Sequence, residues 1–513
     1  MEFNQIRNVL VGNNGAGKST IIEAIRLALG ECDFNYEITQ YSFHKSVWDI
    51  SRVDHPSNLP KIEIEIYFSD DLDKPEFRGK NNLLGEECPG LRFTYEFDED
   101  LAEQYQNKKK HKYIPCEYYS QVRLWFSGEI AKKKLNPFKT FVIDSSNSYF
   151  NSRPRQFVAH LLEDDTDDFQ PQMLSCLALM KSQFDSDEDV RQLNHTLSSR
   201  AQEVKQGLGI SVDLTSRTSY SAILSPFVDG IPFENAGMGE QCIVKTLLSL
   251  GENKEDSKPR LIIIEEPETH LSHTMMYELI NLISSRTTHQ IILTTHSSFV
   301  ANRLELDNLI VIHKDLAGTV SPKKLNQLKH CDSYKYFFKS TDFSTLRIIL
   351  CKKAILVEGP TDEMVCQYYM KSKSIPAFHK GVELMAVGGV SFKHFINLAK
   401  DLGIRLSIVR DRDNGNRDIY ETDYFGDEEH PEIALFLDDD HSTIEPSFVY
   451  ANLNDFKRLS DVVRVNKANN ETLDSLMKFM SSNKTEWSYR LLQSAENFEV
   501  PKYIKDAIAW VYD

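Results

Sequence analysis

The sequence predicts an α/β protein whose strands form parallel sheets. Three short apolar runs, at residues 8–11, 261–264 and 354–357, have the length and composition of buried strands. Each run leads directly into a glycine-rich loop or into acidic residues, and helical spacing resumes after the first and the third. Because ligands bind beyond the carboxyl ends of the strands in open α/β sheets, these loops and acids are candidate site residues.

The composition is that of a soluble globular protein. The chain has 513 residues, enough for two or three domains, with 41% hydrophobic and 26% charged residues. The formal net charge of −17 argues against a generally basic protein that coats nucleic acid. Local contacts with DNA stay open through the lysine-rich runs at residues 108–112 and 132–134, for which solvated surface charge is the simpler interpretation.

Cysteine spacing and hydropathy indicate the compartment. The eight cysteines are scattered and include no Cys-x-x-Cys pair, which is typical of free thiols in a reducing cytosol and offers no zinc site. The apolar runs are far too short to cross a bilayer, and no signal peptide opens the chain. We therefore expect a cytoplasmic protein without a membrane segment.

A phosphate-binding loop is predicted after the first strand. The sequence from Gly12 to Ser19 matches the pattern G-x-x-x-x-G-K-[ST], and residues 20–29 continue with helical spacing. In this context, backbone N–H groups and the helix N-terminus face the phosphates of a nucleotide. Lys18 is expected to reach the β- and γ-phosphates, and the Ser19 hydroxyl to hold Mg²⁺. The predicted nucleotide-binding residues are Gly12, Asn13, Asn14, Gly15, Ala16, Gly17, Lys18, Ser19 and Thr20.

Two glutamates follow the second apolar strand. Glu265 is expected to hold the water shell of the Mg²⁺ ion, and Glu266 to orient or activate the water that attacks the nucleotide. The next predicted strand, at residues 290–295, ends at His296. We predict that His296 senses the γ-phosphate, with a purely structural histidine as the alternative.

A glycine-containing loop at residues 235–241 opens a further predicted helix, and its Gly237 and Gly239 could bind the γ-phosphate held by a second subunit. These motifs, in this order, resemble those of the ABC-type ATPases of the SMC and RecF kind. The resemblance implies that residues 12–19 are Walker A, residues 235–241 the signature, residues 264–266 Walker B and His296 the switch histidine. ATP would then lie between two subunits. Walker B usually carries Asp-Glu, and the Glu-Glu of this chain still supplies both carboxylates.

Other parts of the predicted ATPase are less closely defined by motifs. Gln40 is the candidate for the glutamine of the Q-loop. The family normally has one or two strands before Walker A, whereas this chain begins only a few residues ahead of it, which leaves an upstream native start open. Alternating runs at residues 61–68 and 91–97 predict antiparallel strands with one wet face. Helical spacing at residues 154–207 predicts an insertion for dimerisation or DNA contact, or else a layer packed on its own domain.

A second set of acids follows two strands in the last third of the chain. Glu358 comes directly after the third apolar run, and Asp362 lies four residues later, where a helix is predicted to begin. Asp411 and Asp413 follow the predicted strand at residues 405–409. Parallel strands that each end in acids can assemble an oxygen cage for Mg²⁺ or Mn²⁺, although Asp362 alone would be interpreted as a helix cap.

These acids resemble those of the Toprim domain, which topoisomerases, primases and some nucleases share. An ABC-type ATPase followed by Toprim in one chain resembles the OLD (overcoming lysogenisation defect) family of ATP-dependent endonucleases. The glycine turn at residues 387–389 with Phe392 fits that family. The resemblance implies that Glu445 is a further metal ligand and that Lys484 stabilises charge on the phosphate. The alternative for both residues is an ordinary surface charge.

The OLD resemblance implies an ATPase that is also a Mg²⁺- or Mn²⁺-dependent endodeoxyribonuclease using two metal ions. Its implied partners are DNA, a second copy or more of the chain, and an operon-encoded defence protein, in defence against phage. The implied catalytic residues are Glu266, His296, Glu358 and Lys484. The implied metal ligands are Ser19, Glu265, Glu358, Asp362, Asp411, Asp413 and Glu445.

The predicted domain limits follow the motifs. The ATPase occupies residues 1–153 and 208–345 around the insertion, a linker lies around residues 335–345, and Toprim occupies residues 346–513. Two alternatives stay open. One is an ATP-switched DNA clamp for repair whose Toprim domain does not cleave, and the other is a Toprim ribonuclease.

Overall fold

The structure is a computed structural model of the 513-residue chain. It describes residues 1–31, 36–51, 53, 55–72, 74–106, 112–132, 135–144, 169–200, 208–212, 226–251, 259–285, 289–314, 320–327, 333, 336–337, 345–375, 381–388, 392–413, 415, 417–426, 430–464 and 472–513. In these parts of the chain, no helix combines the length and the apolar character needed to cross a membrane.

Strands and helices alternate along the described chain. The strands are β1 (Arg7–Val11), β2 (Ile62–Tyr67), β3 (Arg78–Gly79), β4 (Cys88–Phe97), β5 (Tyr119–Trp125), β6 (Lys139–Asp144), β7 (Phe227–Val228), β8 (Ile231–Pro232), β9 (Arg260–Glu265), β10 (Gln290–Thr295), β11 (Leu309–Lys314), β12 (Val320–Lys324), β13 (Lys353–Val357), β14 (Val382–Ala386), β15 (Arg405–Val409) and β16 (Ile433–Phe436). The α-helices are α1 (Lys18–Leu29), α2 (Ala102–Gln106), α3 (Phe169–Ser186), α4 (Glu188–Arg200), α5 (Met238–Ser249), α6 (His273–Ser285), α7 (Ser298–Arg303), α8 (Pro360–Ser372), α9 (Phe392–Leu402), α10 (Arg417–Phe425), α11 (Ile444–Ala451), α12 (Phe456–Val463), α13 (Leu473–Ser482), α14 (Lys484–Gln493) and α15 (Lys502–Tyr512).

The chain divides into two compact units. The central unit comprises residues 5–7 and 18–294, and the C-terminal unit comprises residues 1–4, 8–17 and 295–513. The predicted domain limits do not coincide with this division and stay a prediction.

The central unit contains a parallel ladder in which β9 lies between β6 and β10. Every residue of β9 is buried, because both of its edges are paired and both of its faces are covered. The continuous apolar run predicted this. A separate antiparallel sheet joins β2, β3 and β5 to β4, as the alternating runs predicted.

The C-terminal unit contains two sets of strands. In the first, β1 pairs in parallel with β11, which pairs antiparallel with β12. The second is a sheet of four parallel strands in the order β14-β13-β15-β16. Val357 is in register with Val409, so β13 and β15 end at the same edge of the sheet. The fold class predicted from the sequence, a mixed α/β protein with parallel sheets, is confirmed.

One hydrophobic core holds helices α8, α11, α14 and α15 against the four-stranded sheet. Phe448 on α11, Trp487 on α14 and Ile504 on α15 are almost fully buried, together with Val357 and Val409 of the sheet. Burial of each large side chain of this kind contributes about 1.5–3 kcal/mol before losses of chain entropy are counted. The core therefore fixes the positions from which several functional side chains project.

The predicted linker and the predicted insertion are each described only in part. Within the linker expected around residues 335–345, the structure describes Phe337, whose ring is 2% exposed and lies 5.0 Å from the Phe395 ring. Residues 335 and 338–344 lie outside the described chain, so the linker stays a prediction. The insertion is helical over α3 and α4, whereas its residues 154–168 and 201–207 lie outside the described chain.

Candidate functional site

The acidic cluster of the C-terminal unit begins at the edge of the parallel sheet. Glu358 follows β13 directly, and Asp411 comes two residues after β15. The two strands are adjacent and parallel, so the fold delivers both acids to one edge, as the sequence predicted.

Asp362 lies in the first turn of α8 and is 6% exposed. Its Oδ2 accepts a hydrogen bond of 3.0 Å from the backbone N–H of Gly359, so the residue caps the helix. Burial, reinforced by the charge of Glu358 and opposed by this hydrogen bond, raises the pKa of Asp362 to about 6. Asp362 is therefore both a cap and a member of the acidic cluster.

Asp411 carries the largest perturbation among these acids. Burial raises its pKa to about 8, and the carboxylates of Asp362, Glu358 and Glu445 add to the effect. The charge of Lys484 opposes it. A carboxylate in such surroundings is costly to ionise unless positive charge is supplied nearby.

Glu445 and Lys484 come from two helices that pack on each other. Glu445 lies at the start of α11 and Lys484 is the first residue of α14. One turn further along each helix, Phe448 and Trp487 meet with their ring centroids 5.6 Å apart. This contact brings the Lys484 Nζ to 3.7 Å from the Glu445 Oε1.

The cluster holds more negative charge than its lysine balances. The carboxylates of Glu445, Asp411, Asp362 and Glu358 raise the pKa of Lys484 although burial alone would lower it. The Oε2 of Glu358 and both carboxylate oxygens of Glu445 are buried without a hydrogen-bond partner.

Buried carboxylate oxygens of this kind fit a hard divalent cation such as Mg²⁺ or Mn²⁺. Glu358, Asp362, Asp411 and Glu445 are the residues that could hold it. In the described parts of the chain, no group of three or more His, Cys, Asp or Glu side chains is arranged so that it could hold a metal ion. The predicted ligand set therefore stays a prediction.

Asp413 is placed differently from the other acids. Its backbone is left-handed, with φ of +50°, and its side chain is 51% exposed. The Oδ2 lies 3.7 Å from Nη2 of Arg410. Asp413 thus pairs with an arginine that sequence reasoning did not single out, and its role as a metal ligand stays a prediction.

A tyrosine on the last helix faces the same acids. Tyr503 on α15 is buried, and burial together with the charges of Asp411 and Asp362 raises its pKa well above the usual value. Sequence reasoning missed this residue, because it is adjacent to no acidic motif. Its helical apolar neighbours Ile504 and Ile508 were the only available signal.

The phosphate loop has the backbone that its glycines allow. Gly15 and Gly17 have φ of +76° and +104°, a region that other residues rarely adopt. A Cβ on Gly12 would lie 2.6 Å from a carbonyl oxygen of β11. The Ala16 N–H donates to the Asn13 carbonyl at 3.1 Å, which closes the turn. Asn14 is exposed at the tip.

Lys18 opens α1 in the central unit. The side chain is 4% exposed, and its Nζ lies 3.7 Å from the Glu266 Oε1. Burial lowers the pKa of Lys18, and the charge of Glu266 opposes this effect. Ser19 and Thr20 follow in the first turn of α1 and are exposed.

Glu266 has a strained backbone. Its φ of +40° is unusual for a residue other than glycine, and its N–H donates to the Thr294 carbonyl at 3.0 Å. Strain of this kind persists when surrounding contacts hold it and is common at functional sites. Here it turns the chain immediately after β9.

Glu265 has an acidic neighbour that sequence reasoning missed. Asp144, the last residue of β6, is in register with Glu265 across the parallel ladder. Burial, reinforced by Asp144, raises the pKa of Glu265 to about 7, while Arg26 opposes the shift. The run at residues 139–144 was the available signal, because it is a further apolar strand that ends in an acid.

The remaining predicted residues lie on other elements of the chain. Gly237 is the N-cap of α5 and has open space around it. Gly239 is required by packing, because a Cβ there would lie 2.7 Å from the His270 carbonyl oxygen. His296 follows β10, belongs to the C-terminal unit and is exposed. Gln40 lies in a short 3₁₀ helix, and its assignment to the Q-loop stays a prediction.

Comparison with known proteins identifies both halves. Residues 7–302 match the family model described as "AAA domain, putative AbiEii toxin, Type IV TA system", and residues 349–413 match "Overcoming lysogenization defect protein-like, TOPRIM domain". The chain is 21% identical over 444 residues to the endonuclease GajA of Bacillus cereus. The aligned region covers 81% of this chain and 73% of the relative.

Two further likenesses involve OLD proteins. The OLD nuclease of Thermus scotoductus is 22% identical over 437 residues, with 79% of this chain and 77% of the relative covered. The solved C-terminal region of the Burkholderia pseudomallei OLD protein is 18% identical with a TM-score of 0.28, and covers 32% of this chain and 98% of that one. The sequence matches confirm the family resemblance predicted from the motifs.

Proposed function

Since this chain belongs to the AAA ATPase family whose domain spans its residues 7–302, and an OLD-like Toprim domain follows, we propose that it is an ATP-hydrolysing endonuclease that cuts DNA with the help of divalent cations. The relatives named an endonuclease and an OLD nuclease align with most of the length of this chain. The acidic cluster is the observation that carries the proposal. It gathers four carboxylates from four elements beside one lysine, with buried oxygens that lack hydrogen-bond partners.

The nuclease chemistry is assigned to the residues of this cluster. Glu358, Asp362, Asp411 and Glu445 would hold the cations, and Asp413 would complete the set from the end of its turn. Bound Mg²⁺ or Mn²⁺ supplies an acidified water and stabilises the leaving oxygen of the phosphodiester.

Lys484 would stabilise the negative charge that develops on the phosphate, because its ammonium group lies at the exposed side of the cluster. Glu358 would also orient the attacking water and accept its proton.

The ATPase chemistry is assigned to the phosphate loop and the ends of β9 and β10. Lys18 would bind the β- and γ-phosphates, Ser19 and Glu265 would hold Mg²⁺, and Glu266 would orient the attacking water. His296 would sense the γ-phosphate. Gly237 and Gly239 would approach the nucleotide of a second copy, so that two chains would close on two ATP molecules.

The setting follows from the same assignment. The substrate is DNA, the protein works as a homodimer or a larger assembly in the cytoplasm, and ATP controls access of DNA to the acidic cluster. Two further features of the family are extended to this chain. They are a defence partner encoded in the same operon and a role in defence against phage.

The test is a nicking assay on supercoiled plasmid. Wild-type protein is incubated with Mg²⁺, with Mn²⁺ or with EDTA, each with and without ATP, and a matching RNA is offered in parallel. We expect metal-dependent conversion of the plasmid to nicked or linear DNA, and no reaction with EDTA.

Two results would overturn the proposal. Metal-independent conversion, or none at all with protein that still binds ATP and DNA, would favour the non-cleaving clamp. Cleavage of the RNA in place of the plasmid would favour the ribonuclease.

A further inference from the structure

The turn that carries Asp411 and Asp413 has an unfavourable backbone conformation, which surrounding contacts must stabilise. Asp413 has φ of +50°, which residues with a side chain seldom adopt. Its N–H donates to the Ser442 carbonyl at 2.9 Å, and the Gly415 N–H donates to the Arg412 carbonyl at 2.9 Å. These two bonds define the shape of the turn but do not fix the Asp413 carboxylate.

Arg410, at the start of the turn, contacts both acids with one guanidinium group. Its Nε donates to the Asp411 backbone carbonyl at 3.1 Å, and its Nη2 lies 3.7 Å from the Asp413 Oδ2. Its Nη1 donates to the Tyr424 hydroxyl at 2.6 Å. Each of the three guanidinium nitrogens therefore has a separate partner, a pattern that the single ammonium group of lysine does not reproduce.

Aromatic rings from α10 hold the guanidinium in place. The Arg410 guanidinium carbon lies 3.8 Å from the centroid of the Tyr420 ring, and the whole residue is only 9% exposed. The Tyr420 hydroxyl donates to the Arg412 carbonyl at 2.9 Å, inside the same turn. Tyr420 and Tyr424 thus join α10 to the turn through Arg410.

We propose that Arg410 is a positioning residue that holds the Asp411–Asp413 turn in the shape required for cation binding at the acidic cluster. This inference rests on the proposed nuclease function. Arg410 touches neither substrate nor cation in this assignment. It acts by fixing the backbone of one ligand and the carboxylate of another.

The first measurement needs no metal ion. Hydrogen exchange at the amides of Asp413 and Gly415 is compared in wild type, Arg410→Met and Arg410→Lys, with Arg405→Met as the matched control. Arg405 lies at the other end of β15, stacks 4.4 Å from the Trp510 ring centroid and donates to the Trp510 carbonyl. We expect exchange about tenfold faster in Arg410→Met, an intermediate rate in Arg410→Lys and the wild-type rate in the control.

The second measurement is the affinity for Mn²⁺ alone, by calorimetric titration of the full chain. We expect about tenfold weaker binding in Arg410→Met, partial recovery in Arg410→Lys and no change in Arg405→Met. A thermal melt of each variant identifies those that fold. If Arg410→Met does not fold, the Arg410→Lys variant decides the question through its exchange and Mn²⁺ affinity.

Unchanged amide exchange or unchanged Mn²⁺ affinity in folded Arg410 variants would overturn the inference. Tighter Mn²⁺ binding would also overturn it, because Arg410 would then act mainly as a repelling charge. The plasmid assay distinguishes this failure from that of the proposed function. Faster exchange at the turn and weaker Mn²⁺ binding in Arg410→Met, with a wild-type protein that nicks no plasmid, would leave the positioning role standing and remove the nuclease.

Discussion

Each of the two acidic regions of this protein places a lysine beside its glutamates, and the pKa values of these two lysines, Lys18 and Lys484, are shifted in opposite directions. Burial lowers the pKa of Lys18 in the central unit, even though Glu266 lies 3.7 Å away. In the C-terminal unit, four carboxylates raise the pKa of Lys484 against the effect of burial. In the first region, burial therefore outweighs the charges of Glu266 and Glu268 around the lysine, whereas in the second region the charges of the acids outweigh burial.

From this difference we expect the two regions to bind ligands of opposite charge. A buried lysine at the start of a helix is stabilised by an incoming anion, and the phosphates of a nucleotide supply it. Buried carboxylates beside one half-exposed lysine are stabilised by incoming cations. Both regions use acids at the ends of parallel strands, so their different chemistry comes from the balance of charge around them.

The largest expected effect is at the most perturbed acid of the second region. Asp411→Asn keeps the shape of the side chain but removes a negative charge that, in the proposed function, holds the divalent cations. We expect DNA cleavage to fall on the order of a hundredfold or more, while ATP hydrolysis continues. Plasmid nicking and phosphate release measure the two activities.

The matched control for this variant is Asp423→Asn. Asp423 lies in the same unit, is 52% exposed and pairs with Lys393 at 2.7 Å. It should cleave at the wild-type rate. Wild-type cleavage by Asp411→Asn as well would show that the acidic cluster does not carry the reaction.

The second expected effect is at the lysine of the first region. Lys18→Ala removes charge-assisted hydrogen bonds to the phosphates, so affinity for ATP should fall by about tenfold to a hundredfold. Calorimetric titration with ATP measures the loss, with the half-exposed Lys61→Ala of the same unit as control. Mn²⁺ affinity should not change. Equal ATP affinity in wild type and Lys18→Ala would refute the phosphate-loop assignment.

Sequence patterns were sufficient for the parts of both regions that lie on strands. Continuous apolar runs predicted β1, β9 and β13, and parallel strands necessarily bring Glu358 and Asp411 to one edge. The same rule would have found Asp144 at the end of β6. That strand was not recognised, because no glycine loop or motif follows it.

Contacts that depend on tertiary packing could not be predicted from residue spacing. Glu445 and Lys484 meet because Phe448 packs against Trp487, and only the family resemblance had indicated these two residues. The pairing of Asp413 with Arg410 depends on a left-handed residue that is not glycine. Local sequence preferences argue against such a conformation, and surrounding contacts impose it.

A third effect is expected from pH. In the folded protein the pKa of Asp411 is raised from 3.8 to about 8, so between these values the folded chain holds a proton that the unfolded chain has lost. Without cations, the contribution of Asp411 to stability therefore falls as pH rises from 3.8 to about 8.

In the proposed function, cations bind the ionised carboxylate of Asp411 and compete with this proton. Mn²⁺ affinity should weaken by up to about tenfold for each unit that pH falls below 8, and calorimetric titrations between pH 6 and about pH 8 measure this slope. Asp411→Asn should flatten it. An equally steep slope in that variant would assign the proton to another group.

The smallest expected effect is at the acid that faces Glu265, and it tests the charge-balance comparison most closely. Asp144→Asn removes one of the charges that raise the pKa of Glu265 to about 7, so this pKa should fall by up to about one unit. The pH dependence of Mg²⁺–ATP affinity should move downward to the same extent, with little change in affinity near pH 8. If affinity instead falls at every pH, Asp144 is itself a ligand of Mg²⁺ rather than a neighbour of one. The same Asp-to-Asn change at a strand end would then be severe in both regions, and the balance of charge would no longer distinguish them.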